Sequence, residues 1–236
     1  MDAQLHTLIE LQAYDTRIAA LDAEAARLPR QIEAIQTALA EARKAMETLK
    51  ARADVTRKEL RTKEKDLEVV AAKRSKSEAR LYEVKTNKEY SAVLIEIEDI
   101  KQEKGQAEEE ILALMELGER LATDIREGEG RLKAREDQAR QDEAAVRKKL
   151  AAVEEELAVV RAERDSRARE LPRPLLTDYE KILKARGGVA VAAVTGTPSI
   201  CGGCRMTIRP QALQELRAGT GLMLCESCGR FLYWNE

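Results

Sequence analysis

Aromatic residues are nearly missing from this chain of 236 residues: one Phe, one Trp and five Tyr make up 3%. A conventional bulky core cannot be assembled from so few large rings. Histidine occurs once, as His6, which leaves no imidazole pairing for acid–base or nucleophilic catalysis, and no phosphate-binding glycine loop is present. The first 85 residues contain no Gly and a single Pro, Pro29, so almost nothing there marks a turn. No run of 18 apolar residues exists, which excludes a membrane-spanning helix. The opening Met1-Asp-Ala-Gln-Leu-His6 has neither the basic nor the apolar block of a signal peptide. We therefore read the chain as cytoplasmic and its four cysteines as reduced.

Charge, by contrast, is plentiful. Asp, Glu, Lys and Arg make up 36% of the residues with a net charge of −2, where a soluble domain usually has about 25%. The chain is also 44% hydrophobic, with the excess in Ala and Leu, which is the profile of long helices and coiled coils. A seven-residue repeat runs in constant register. Its a positions are Leu11, Ile18, Ala25, Ile32, Leu39, Met46, Ala53, Leu60, Leu67, Arg74 and Leu81. Its d positions are Tyr14, Leu21, Leu28, Ile35, Ala42, Leu49, Thr56, Lys63, Val70, Ser77 and Val84. Eighteen of these 22 are apolar, and spacing held at 3.5 residues for this long implies a left-handed supercoil with a partner helix. Pro29 predicts a kink or break, with a separate short helix before it. Lys63, Arg74 and Ser77 predict a weaker seam in the distal third.

The register fails at Lys85-Thr-Asn-Lys-Glu89, where Thr86 and Glu89 form a capping-box pattern. A second seam follows: Tyr90, Val93, Ile97, Ile100, Lys104, Ala107, Ile111, Leu114, Gly118, Leu121 and Ile125. It is expected to decay through Gly128 and Gly130 and to resume with a stutter at Val146, Leu150, Val153, Leu157 and Val160. Pro172 and Pro174 end it. Residues 43–88 carry 15 basic and 8 acidic side chains, a net +7; residues 89–130 carry 4 basic and 13 acidic, a net −9. Folding at Thr86 sets these blocks side by side, whereas a parallel dimer would set like against like. The expected fold is mainly α: an antiparallel coiled-coil hairpin over 1–171 with its turn near 85–89, roughly 120 Å long at 1.5 Å per residue. A linker with a short helix from Leu175 to Arg186 occupies 172–188, and a small β unit with one short helix fills 189–236.

That last segment holds all the cysteines, as Cys201-Gly-Gly-Cys204 and Cys225-Glu-Ser-Cys228. A two-residue gap lets both thiolates of a pair reach one ion at about 2.3 Å, and two such knuckles complete a tetrahedron. Gly202, Gly203 and Gly229 supply the backbone freedom that tight knuckles need. Four thiolates leave no open position, so the site is structural: one zinc ion in a zinc ribbon. Two disulfides, a redox C-x-x-C pair and a four-thiolate iron site remain as alternatives with the same residues. Val189 to Val194, Met206 to Ile208 and Phe231 to Trp234 read as strands, and Pro210 opens a helix ending near Gly219.

The chain resembles the bacterial proteins with a long coiled-coil hairpin followed by a four-cysteine zinc ribbon, described as predicted nucleic-acid-binding. The resemblance rests on Val84-Lys-Thr-Asn-Lys-Glu-Tyr90, Glu96, Tyr179-Glu-Lys-Ile182 and the cysteine block with its tail Gly229-Arg-Phe-Leu-Tyr-Trp234. It implies a non-enzymatic adaptor, tied in different members to transcription, RNA, or flagellar and secretion machinery. Two classes of partner are then expected, protein on the one hand and RNA or DNA on the other, with neither membrane nor small-molecule substrate. The candidate contact residues are Arg205, Arg209, Arg217 and Arg230 on the ribbon and Lys73, Arg74, Lys76, Arg80, Lys85 and Lys88 near the turn. Phe231, Tyr233 and Trp234 offer stacking surface, or alternate between the ribbon core and a contact with the coiled coil.

Overall fold

The computed structural model describes residues 3–234 apart from 197 and 220. Helix α1 covers Ala3–Leu81, α2 Asn87–Ala168, α3 Arg173–Ala185 and α4 Pro210–Ala218. Strands β1 to β4 cover Val191–Thr195, Ile200–Cys201, Met223–Leu224 and Phe231–Trp234. The chain divides into two compact units, one of Met1–Glu33 with Glu143–Glu236 and one of Ala34–Asp142.

The heptad pattern explains why the long helices form. All 22 predicted seam positions from Leu11 to Val84 are buried or half-buried. The fold is the mainly α one expected: long helices forming an antiparallel hairpin, followed by small strands and a short helix around four cysteines. The break expected at Pro29 is absent, because α1 continues through it. Pro29 lies on the exposed face, while Leu28 beside it is fully buried with Leu21, Val153, Leu157 and Val160. Water can serve the backbone carbonyl that a proline leaves unpaired on that face, and side-chain burial holds the helix on both sides.

Within the 34–142 unit, cross-helix partners climb on α1 as they descend on α2. Arg43 meets Glu136 at 2.8 Å, Lys50 meets Glu129 at 2.6 Å, Lys63 meets Glu110 at 2.5 Å and Lys73 meets Glu103 at 3.5 Å. Exposed pairs contribute little each, so the seam sets the register and the charges follow it. Three polar seam residues are engaged: besides Lys63, Arg74 binds Glu78 on its own helix at 2.8 Å and Ser77 donates to Glu96 at 3.0 Å. The second seam does not decay at Gly128. Gly128, Leu132 and Glu136 are half-buried and form two successive four-residue steps, which is the stutter. Met46 fills the space that a side chain at Gly128 would need. Tyr90 is exposed instead of opening the seam, because it stands in the first turn of α2 and Val93 already closes that end. Thr86 and Glu89 form the reciprocal capping box: the Thr86 amide donates to Glu89 Oε2 at 3.2 Å and the Glu89 amide to Thr86 Oγ1 at 3.3 Å.

In the other unit the four strands form one sheet in the order β2-β1-β4-β3, with β1 and β4 parallel and the outer pairs antiparallel. The alternation of side chains gives this sheet two different faces. Val191 and Phe231, with Tyr233, pack against Leu8 and Leu11 of α1, Ala168 of α2, Tyr179 of α3 and Leu171 between α2 and α3. Ala192, Val194 and Leu232, with Trp234, face α4 and the cysteines. The C-terminal aromatics are therefore packing residues, divided between the ribbon core and the helical base. The strand expected at 206–208 reduces to a single bridge between Ile200 and Thr207, since Cys201 turns the chain immediately into the first knuckle.

One polar device fixes this sheet on α1 and a second ties together the helices it packs on. Gln12 of α1 acts as a short strand edge: its Oε1 accepts from the amides of Ala190 at 2.5 Å and Val191 at 3.1 Å, while Nε2 donates to the Gly188 carbonyl at 2.8 Å. Deeper, Tyr179 donates its hydroxyl to Asp15 at 2.7 Å and Arg164 donates to the same carboxylate at 3.1 Å and to Glu180 at 3.2 Å. Burial and the Asp15 carboxylate push the Tyr179 hydroxyl well above the usual tyrosine range, so it remains a donor. Gln12→Ala would leave two amides and a carbonyl at the start of β1 without partners. It should destabilise this unit by about 1–3 kcal/mol, read by denaturant melts and by faster hydrogen exchange at Ala190 and Val191. Unchanged exchange there would contradict the assignment.

Candidate metal centre

Each knuckle is a tight turn closed by its own backbone. The Arg205 amide bonds the Cys201 carbonyl at 2.8 Å, and the Gly229 amide bonds the Cys225 carbonyl at 2.7 Å. The residue after the second cysteine is left-handed in both, Arg205 at φ 62° and Gly229 at φ 73°. Gly229 suits that conformation, whereas an arginine there costs about 1–2 kcal/mol. The other glycines serve a different end from the one expected. Gly202 is a matter of space: an added side-chain carbon would come within 2.8 Å of the Ala193 carbonyl oxygen, to which its own amide is bonded at 2.8 Å. Gly203 lies under the Arg230 side chain.

The four sulfurs lie within 4.8 Å of one another. Cys201 and Cys228 Sγ are 3.9 Å apart, and Cys204 and Cys225 Sγ are 3.7 Å apart. A tetrahedron of zinc–sulfur bonds of about 2.3 Å has edges of about 3.8 Å. A disulfide needs about 2.05 Å, and all four cysteines are free. Burial pushes the Cys201 and Cys225 thiols above their ordinary range. At Cys228 burial acts in the same direction, but the Arg230 amide and guanidinium outweigh it and hold that thiol low. Such a donor set, closed and mostly buried, fits one structural zinc ion, which would supply the positive charge that four thiolates require.

The second knuckle is latched to the linker by two reciprocal arginines. Arg186 Nε donates to the Cys228 carbonyl at 2.8 Å, while Arg230 donates back to the carbonyls of Val189 at 2.8 Å and Arg186 at 2.9 Å. Arg230 is thus a structural residue. Arg209 pairs with Glu226 across the ribbon, and the Arg217 guanidinium sits 4.1 Å from the centre of the Trp234 ring. Of the four ribbon arginines only Arg205, which is exposed, has no side-chain hydrogen bond, ion pair or ring contact among the described residues. In the 34–142 unit, Lys73 and Arg80 bind Glu103 and Glu96, and Arg74 binds Glu78. Lys76, Lys85 and Lys88 are exposed.

The hairpin and the cysteine cluster each have a counterpart among known families. A model of the CT398-like coiled coil hairpin domain matches residues 11–187. The chain belongs to this family. A second model, of the C4-type zinc ribbon domain, matches residues 200–232. Both describe structural types and neither an enzyme. Among solved structures, CT398 from Chlamydia trachomatis is 20% identical, with a TM-score of 0.82 over 98% of both chains. A protein from Mycobacterium smegmatis is 18% identical with a TM-score of 0.71 over 100% of both. The HP0958 protein from Helicobacter pylori is 19% identical with a TM-score of 0.64, over 99% of this chain and 98% of its own. At these identities the likeness is one of fold. No curated protein matches the chain. Among the described residues no helix is long and apolar enough to cross a membrane.

Sequence reasoning missed Gln12, Asp15, Arg164 and Arg186, since no local pattern marks a side chain whose partner is distant in sequence, as Ala190 is from Gln12, Asp15 from Arg164 and Cys228 from Arg186. Tyr179 did carry a signal, as part of the family's Tyr-Glu-Lys-Ile block.

Removing the metal with a chelator should unfold the cysteine side of the ribbon while the long helices persist. Trp234 fluorescence and near-ultraviolet dichroism would change with far-ultraviolet helicity nearly constant; a ribbon unaltered by metal loss would contradict the site. Arg230→Ala should weaken zinc binding about tenfold to a hundredfold, as removal of an outer-shell partner does. Competition with a chromophoric chelator measures it, and an unchanged constant would exclude that role.

Proposed function

We propose that the chain is a non-enzymatic cytoplasmic adaptor, a coiled-coil hairpin with a metal-stiffened ribbon whose surfaces dock protein partners. One observation carries this reading above the nucleic-acid one: three of the ribbon's four arginines are engaged internally. Arg209 binds Glu226, Arg217 covers Trp234 and Arg230 holds backbone carbonyls. Phosphate binding draws its affinity from cations free to neutralise the backbone, and stacking needs open rings, whereas Phe231 is buried and Trp234 is half-buried beneath Arg217. A metal site saturated by four thiolates also suits a scaffold better than a catalyst.

Arg205 is what favours the second reading, RNA or DNA binding. It is exposed, and it holds a left-handed conformation that glycine would adopt at lower cost. Binding of labelled RNA and DNA at about 50 and 200 mM salt separates the two. The adaptor reading predicts no salt-dependent complex. Affinity that falls about a thousandfold or more across that range would establish a phosphate-contacting protein and overturn the adaptor.

A further inference from the structure

The loop between the long helices and the first turns of α2 expose four large apolar side chains within 14 residues. Tyr82 is 92% exposed, Ile95 65%, Tyr90 48% and Leu94 45%. Isolated apolar residues on a surface are ordinary; a group of this size marks a contact. None belongs to the seam, which Val84, Val93 and Ile97 fill here. Tyr90 and Leu94 stand one helical turn apart on one face. The Thr86–Glu89 capping box fixes the backbone that leads into Tyr90, and the Tyr82 amide bonds the Ala79 carbonyl at 3.2 Å, so less ordering is left for binding to impose. Lys85 and Lys88 flank the capping threonine, both exposed, and no ion pair among the described residues engages either.

We propose that this turn is a docking surface for a protein partner that offers an apolar depression rimmed by carboxylates. Tyr82 and Tyr90 are its anchors, as rigid amphipathic rings are at many interfaces, with Leu94 beside Tyr90, and Lys85 and Lys88 steer the acidic rim into place. Nucleic acid fits less well. Arg80 is paired with Glu96, which leaves Lys85 and Lys88 as too few cations to build affinity from phosphate contacts, and Leu94 and Ile95 cannot stack on bases. The proposal rests on the adaptor reading and names the chemistry of its partner.

The test places p-benzoylphenylalanine at position 82 of the full chain in cells, and at position 224, an exposed ribbon site, in a parallel sample. The expected result is a protein adduct at position 82. That protein, once purified, binds the wild-type chain, binds Tyr82→Ala about thirtyfold more weakly, and loses affinity with Lys85→Glu and Lys88→Glu but not with Arg at both positions. Far-ultraviolet dichroism confirms that the variants stay helical. Adducts at position 82 only to nucleic acid or to a second copy of the chain, or a partner that binds Tyr82→Ala as tightly as wild type, would overturn the proposal. A protein adduct at 224 with none at 82 removes this surface and leaves the adaptor standing. No protein adduct at either position contradicts both.

Discussion

Four cysteine sulfurs share a space in which none is more than 4.8 Å from another, and four thiolates tolerate that proximity only around a cation. Much of the ribbon follows from this constraint. The knuckles turn where they do because each pair must aim at one point. Gly202 has no side chain because the first knuckle lies on the Ala193 carbonyl. Helix α4 and one face of the sheet close over the sulfurs through Val194, Ile208, Leu216 and Leu232. The opposite face uses the same strands, one residue out of phase, to grip the helices through Val191 and Phe231. The parallel pairing of β1 with β4 is the layer shared by both cores.

Part of the abundance of charge, which at first suggests an electrostatic binding surface, is engaged internally. The basic and acidic blocks meet as cross-helix pairs. In the other unit Arg17, Arg161 and Lys149 pair with Glu156, Asp22 and Glu24, and Glu24 is held low chiefly by its contact with Lys149. The ribbon arginines are mostly engaged as well. Large apolar side chains are also left open, with a group of them around the turn at Thr86. An adaptor that specifies its own fold by charge pairing and its contacts by rings is consistent with that distribution.

The long helices, their seam and the capping box were legible because they are local and periodic: each seam residue repeats the same environment every seven positions. The cysteine cluster was legible because chelation demands fixed spacing. The misses are nonlocal. Pro29 looked like a break, yet burial of Leu28 on one side and water on the other carry the helix through. Gly128 looked like the end of a seam because glycine has no side chain to count, although Met46 fills its place from the partner helix. The partners of the ribbon arginines, a carbonyl at 189 or a ring at 234, have no mark in the sequence because they meet only once the chain is folded. Gln12 offered no signal at all.

The account stands on one zinc ion held by Cys201, Cys204, Cys225 and Cys228. The most direct measurement is zinc-edge X-ray absorption on the purified full chain, paired with metal analysis. It should return one zinc per chain with four sulfur neighbours at about 2.3 Å and no nitrogen or oxygen neighbour. A chain purified without zinc and with its cysteines in disulfides, or a zinc with mixed ligands, would contradict it.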